Sequence, residues 1–126
     1  ILFISEAGRF IVEDVFDLDA SIISIRNINR DTYDVTIDTN IMHFPCFWEK
    51  KFSLEFKPQN NKNEENRAIY LNVFGNSCMQ IDKIAENFLV NKAPRVGDRF
   101  LIKNVGAYSL SQASNFISEI PSVIEM

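Results

Sequence analysis

Apolar side chains return at every second position along much of this chain. Tyr33, Val35 and Ile37 alternate with Asp34, Thr36 and Asp38, and Phe52, Leu54 and Phe56 alternate with Ser53 and Glu55. Successive side chains of a strand point to opposite faces, so each run turns one face inward and predicts a half-buried strand. Segments rich in β-branched and aromatic residues extend the pattern to 10–16, 20–26, 32–38, 51–56, 68–74, 99–105 and 122–126. One stretch departs from it. Ile81, Ile84, Ala85 and Phe88 fall at i, i+3, i+4 and i+7, which predicts a short amphipathic helix over 79–88 with Ser77 as its cap. Many short strands and one helix predict a mainly β, Greek-key or barrel-like domain, because closing a sheet removes its exposed edges.

Residues 57–67 hold no apolar side chain and are rich in Asn, which predicts a solvated hairpin loop or a disordered insertion. Val96-Gly97-Asp98 and Asn104-Val105-Gly106 mark turns on either side of the strand 99–105.

A chain of 126 residues makes one domain with a single core. Its net charge of −4, with Lys and Arg scattered, offers no electrostatic footprint for nucleic acid. No apolar stretch approaches the roughly 20 residues that span a bilayer, so no membrane contact is expected. The opening Ile1-Leu2-Phe3-Ile4 has neither an initiator Met nor a basic leader and reads as an excised strand, with the true N-terminus elsewhere. Cys46 and Cys78 are expected to be reduced thiols of a cytoplasmic protein.

Candidate chemistry is sparse. A single histidine, His43, gives no Ser-His-Asp relay, and no Cys-x-x-Cys or His-x-x-x-His spacing offers a metal site. Gly97 and Gly106 are isolated and form no phosphate loop. Glu6, Arg9, Asp38, Cys78 and Tyr108 remain. Each has a plain structural role: an ion pair, a strand-ending turn, a buried thiol or a core aromatic. The segment 41–48, with Met42, His43, Phe44, Phe47 and Trp48, reads as a core or interface cluster, or as the wall of a pocket.

Taken in order, Glu6-Ala7-Gly8-Arg9, Asp38-Thr39, Gly75-Asn76-Ser77-Cys78-Met79-Gln80-Ile81-Asp82, Val96-Gly97-Asp98 and Gly106-Ala107-Tyr108-Ser109 form a string. That string resembles the carboxy-terminal β domain of the pyridoxal-phosphate (PLP) decarboxylases of fold type III, the ornithine, diaminopimelate and arginine decarboxylase family. The resemblance covers nearly the whole chain. It implies that 1–126 is one carboxy-terminal domain, with 1–9 as the last strand and loop of an α/β barrel. The rest of that barrel, with the Schiff-base lysine, would lie outside this chain. It implies PLP as cofactor, a homodimer with shared active sites and a small amino-acid-like substrate. The fragment alone would be inactive.

By the same resemblance Glu6 faces the pyridine nitrogen, and Gly8, Arg9 and Tyr108 meet the phosphate. Cys78 is the proton donor, reaching across the dimer, while Asp38, Met79, Asp82 and Phe116 shape the substrate site. The chain departs from the family in three places. Ala7 replaces a proline, Phe44-Pro45 stands where diaminopimelate decarboxylases have Arg-Pro, and Met79 stands where an acid binds the distal ammonium of basic substrates. Met79 therefore speaks against the standard diamine-forming substrates and gives weight to a non-catalytic, decarboxylase-like regulator. A PLP-dependent racemase is a further alternative.

Overall fold

The computed structural model describes residues 2, 8–44, 52–59 and 66–125. Among these residues six strands form one sheet: β1 (Leu18–Asn29), β2 (Thr32–Ile37), β3 (Ser53–Lys57), β4 (Ile69–Phe74), β5 (Lys83–Val90) and β6 (Arg99–Lys103), in the order β3-β6-β1-β2-β4-β5. Among the described residues helix is confined to two single turns, α1 (Arg9–Val12) and α2 (Ser109–Gln112).

The long strand β1 is shared between two halves. Its first residues, Leu18 to Ser21, pair antiparallel with β6, and from Ile22 onward it pairs antiparallel with β2. An extra residue between Ile22 and Ser24 bends the strand at this handover. After β2 the chain crosses to the far edge to form β3 beside β6, then returns to lay β4 parallel to β2. The result is a nearly closed, barrel-like sheet, as the alternating pattern predicts.

Its interior is made by that alternation. Ile69, Leu71 and Val73 are fully buried, as are Val35, Ile37, Phe100 and Ile102. Each large aliphatic side chain so buried contributes about 1.5–3 kcal/mol. The edge strands β3 and β5 flank an open seam, a cleft of about 670 Å³ lined by Leu54, Phe56, Ala68, Phe88 and Val90 among others. Beneath it the Phe100 ring meets Phe56 at 5.2 Å and Phe88 at 6.0 Å between centroids.

Three sequence expectations are corrected. Residues 79–88 are not a helix: Gln80 and Ile81 turn, and Lys83–Val90 is a strand. β5 pairs with β4 through Leu71↔Phe88, Val73↔Ala85 and Phe74↔Lys83, so it carries an extra residue twice, once at Asn87 with φ 52°. Two bulges stretch a period of two into spacings of three and four, which imitates a helical face. Residues 10–16 are not a strand but α1 and a turn, held by Gly106 N–H donating to Glu13 O at 2.9 Å and Val105 N–H to Phe16 O at 3.1 Å. Their Ile11, Val12 and Val15 are exposed. Residues 122–125 form no strand either, and Val123 and Ile124 are exposed.

Candidate functional site

Two groups of loops gather the candidate residues. In the first, the opening segment lies against the turn before α2. A β-carbon built on Gly8 would stand 3.0 Å from the Tyr108 hydroxyl. A side chain there would crowd the hydroxyl and force one of the two to shift. Tyr108 takes a left-handed backbone, φ 62°, and its ring is about half exposed. Its carbonyl accepts from the Gln112 amide at 3.0 Å and from Ser111 Oγ at 3.1 Å, which fixes the turn. Gly106 brings the two segments together, since any side chain there would overlap the Val12 carbonyl. Arg9 begins α1. Glu6 lies outside the described residues.

The second group is built around Asp82. This aspartate is buried at 2% exposure, and its Oδ1 accepts from the Ile41 amide at 3.0 Å. Its Oδ2 accepts from the Ser77 amide at 2.9 Å and from the Ser77 hydroxyl. The backbone closes the same loop, with Gly75 N–H to Asp82 O at 2.9 Å and Asp82 N–H to Met79 O at 3.0 Å. A charged acceptor facing several donors makes strong, oriented bonds. The loop 75–82 so held presents Cys78 outward, as an exposed free thiol with φ 59°. Met79 is half-buried and packs on the core. Phe116, on the segment after α2, is 42% exposed.

These positions modify the sequence reading. With both carboxylate oxygens engaged inside the fold, Asp82 holds its loop and offers no surface to a substrate. No helix begins beside Cys78, and Ser77, the expected helix cap, binds Asp82 instead. The Asp38 side chain is exposed but accepts from the Ser21 amide at 2.8 Å, the strand-ending role considered for it. His43 is buried, 2.8 Å from Thr39 Oγ1, and belongs to packing between loops. Cys46 and most of the aromatic segment after Phe44 lie outside the described residues.

Sequence reasoning missed Asn40, Asn76 and Ser118. Asn40 Nδ2 donates to Asn76 Oδ1 at 2.9 Å, Ser118 Oγ at 3.1 Å and the Phe116 carbonyl at 3.3 Å, while its Oδ1 accepts from the Met42 amide at 2.9 Å. The Asn76 amide donates to Thr39 O at 3.0 Å, and the Ser114 amide to Met42 O at 3.1 Å. Three loops distant in sequence thus meet at one end of the sheet. A buried asparagine between Asp38-Thr39 and Ile41-Met42 was the only hint, and its partners carry no local signature.

No family model matches the chain. Among curated proteins it is similar to antizyme inhibitor 1 of Mus musculus, 27% identical over 90% of this chain and 28% of that protein. It is also similar to ornithine decarboxylase of Rattus norvegicus, 24% identical over 90% of this chain and 27% of that protein. The chain thus spans little more than a quarter of the length of these relatives. Its fold matches the arginine decarboxylase of Paramecium bursaria Chlorella virus, solved bound to agmatine, with a TM-score of 0.73 at 20% identity over 90% of this chain and 31% of that one. A further solved structure of this fold is a complex with PLP and cadaverine, with a TM-score of 0.64 at 20% identity, covering 82% of this chain and 26% of that one. The chain has the β-domain fold of the fold-type III, PLP-dependent decarboxylases.

Among the described residues no helix is long and apolar enough to cross a membrane.

Proposed function

We propose that residues 1–126 are the carboxy-terminal β domain of a cytoplasmic, PLP-dependent amino-acid decarboxylase. An α/β barrel of the same protein would carry the Schiff-base lysine, and two copies would share their active sites. The observation that carries this reading is the approach of Gly8 to the Tyr108 hydroxyl. Two segments a hundred residues apart meet where the resemblance puts one cofactor contact on each, and the missing side chain lets the Tyr108 hydroxyl come up against the Gly8 backbone. The fit is chemical as well: a phenol, a glycine and an adjoining Arg9 suit a phosphate.

PLP, when bound, supplies an electron sink for the pair released at the substrate's α-carbon as carbon dioxide departs. The chain's own residues would do the rest. Glu6 would keep a proton on the pyridine nitrogen, while Arg9 and Tyr108 would orient the phosphate by charge-assisted and neutral hydrogen bonds. Cys78, exposed on a rigid loop, would give its thiol proton to the α-carbon after carbon dioxide leaves. Met79 would put an apolar wall beside it, so the distal end of the substrate would not be read by a charge there.

A second reading is a decarboxylase-like regulator without turnover. Met79 and the similarity to antizyme inhibitor 1 favour it. Titrating PLP into the full-length protein, followed by its absorbance, together with carbon dioxide release from lysine, ornithine, arginine and diaminopimelate, separates the two. Cofactor uptake with turnover supports the enzyme; neither uptake nor turnover supports the regulator.

A further inference from the structure

Every polar atom of the Asn40 side chain is used, and it is used between loops rather than within one. The residue is fully buried. Its amide nitrogen spans Asn76, two residues before Cys78, and both Phe116 and Ser118 on the segment after α2. Its oxygen holds the Met42 amide in its own loop. Ser118 Oγ also reaches Asn76 Oδ1 at 3.3 Å, which closes a ring of polar groups. Asp82 ties the same two loops a second time through Ile41 and Ser77, but it makes no bond to 113–118. Among the described residues Asn40 is therefore the side chain of a third loop that bonds both the Cys78 loop and the Phe116 segment, beside the direct bond from Ser118 to Asn76.

We propose that Asn40 is a positioning residue that fixes Cys78 relative to Phe116, so that proton donor and aromatic wall keep one spacing. The positioning itself is a statement about loop geometry; its catalytic consequence rests on the proposed decarboxylase reading. The chemistry gives an asymmetric signature. Asn40→Asp places an oxygen where a donor faces three acceptors, and a buried acceptor left without a donor is costly. Asn76→Asp keeps the oxygen that accepts from Asn40 and should be tolerated.

The test is backbone hydrogen exchange by mass spectrometry on the full-length protein. In Asn40→Asp, exchange should quicken about tenfold in 75–82 and 113–118 together, the loss of about one net hydrogen bond. β4 should keep its rate, and Asn76→Asp should match the parent. Ser118→Ala, a milder cut, should quicken exchange on both sides of Asn40, including 76–79. Where Asn40→Asp fails to fold, Asn40→Ala, which buries no new charge and leaves the Ser118–Asn76 bond in place, decides instead, and unchanged exchange in 75–82 and 113–118 overturns the proposal. Equal effects of Asn40→Asp and Asn76→Asp would overturn it as well.

For whichever of the four amino acids releases carbon dioxide, Asn40→Asp should lower kcat with PLP still bound. That loss should vanish in a Cys78→Ala background. If Cys78→Ala alone leaves rate and product unchanged, the decarboxylase reading fails, while hydrogen exchange still decides the role of Asn40.

Discussion

Gly75 and Asp82 face each other so closely that a β-carbon on the glycine would fall within the aspartate's carboxylate. That carboxylate cannot swing away, because Ile41 and Ser77 hold both of its oxygens. Gly75→Ala should therefore destabilise the fold by about 3 kcal/mol, at the upper end for an overpacked site. Asp82→Asn, which turns an amide toward the Ser77 or Ile41 donors, should cost about 1–3 kcal/mol. Denaturation midpoints of the two variants check both, and midpoints at the parent value would show that the loop yields.

Asp34 should make stability depend on acid. Burial pushes its carboxyl up, but the Asn72 amide at 2.9 Å and the Arg26 guanidinium bonded to it outweigh that and hold it below the ordinary range. The folded state thus binds this proton less readily than the unfolded chain, whose carboxylates titrate near about 3.9. Its contribution is complete above that value and is lost as pH falls through it toward the lower folded value. Asp34→Asn should flatten the fall of stability between about pH 5 and pH 2. Equal slopes for parent and variant would remove Asp34 from the account.

Much of the sheet was legible, and its exceptions share a cause. β2, β4 and β6 keep a strict period because each has one buried face, so register and burial can be read from spacing, while the edge strand β3 keeps the alternation in its sequence but is only half-buried. β5 hides the same logic behind two bulges, and bulges are set by a partner strand rather than by the strand's own residues. Phe10 to Phe16 has strand composition, yet close approach to Gly106 turns it instead. At the candidate site the resemblance singled out Cys78 and Tyr108, but their exposure was not legible, since a lone thiol and a lone tyrosine read as buried residues. The buried Asn40 was not singled out, because its bonds reach 36 to 78 residues along the chain.

The seam of the barrel depends on one ring. Phe100 is fully buried and touches Phe56 of β3 and Phe88 of β5, the two strands that do not pair with each other. Phe100→Ala should cost about 3–5 kcal/mol, with little relaxation because the aromatic partners lie on both sides. Hydrogen exchange should rise first at the edge strands β3 and β5. A uniform rise across all six strands would mean that the seam opens only with the whole sheet.

Gly8→Ala tests the shared space beside Tyr108. The added β-carbon would stand 3.0 Å from the hydroxyl, tighter than ordinary van der Waals contact. One of the two must move, so PLP affinity of the full-length protein should fall about tenfold, the equivalent of about 1.4 kcal/mol. Tyr108→Phe alone should also weaken binding, by removing the hydroxyl proposed to donate to the phosphate. Combined with Gly8→Ala it should cost less than the sum of the two, because removing the hydroxyl also relieves the crowding. Strict additivity would place the Gly8 effect elsewhere.

Cys78→Ala carries the mechanism. The loop holding Cys78 is fixed through Ser77, Asn76 and Asp82, none of which uses the thiol, so the variant should fold and bind PLP as the parent does. What it should lose is the proton delivered to the α-carbon. Turnover should slow by about 10²-fold or more, within the usual range for removing a positioned acid, and part of the product should carry its proton at the wrong atom. Product analysis after single turnovers reads both effects. A slow variant with unaltered products would make Cys78 a binding residue, and an unchanged rate would take the proton donor out of this domain.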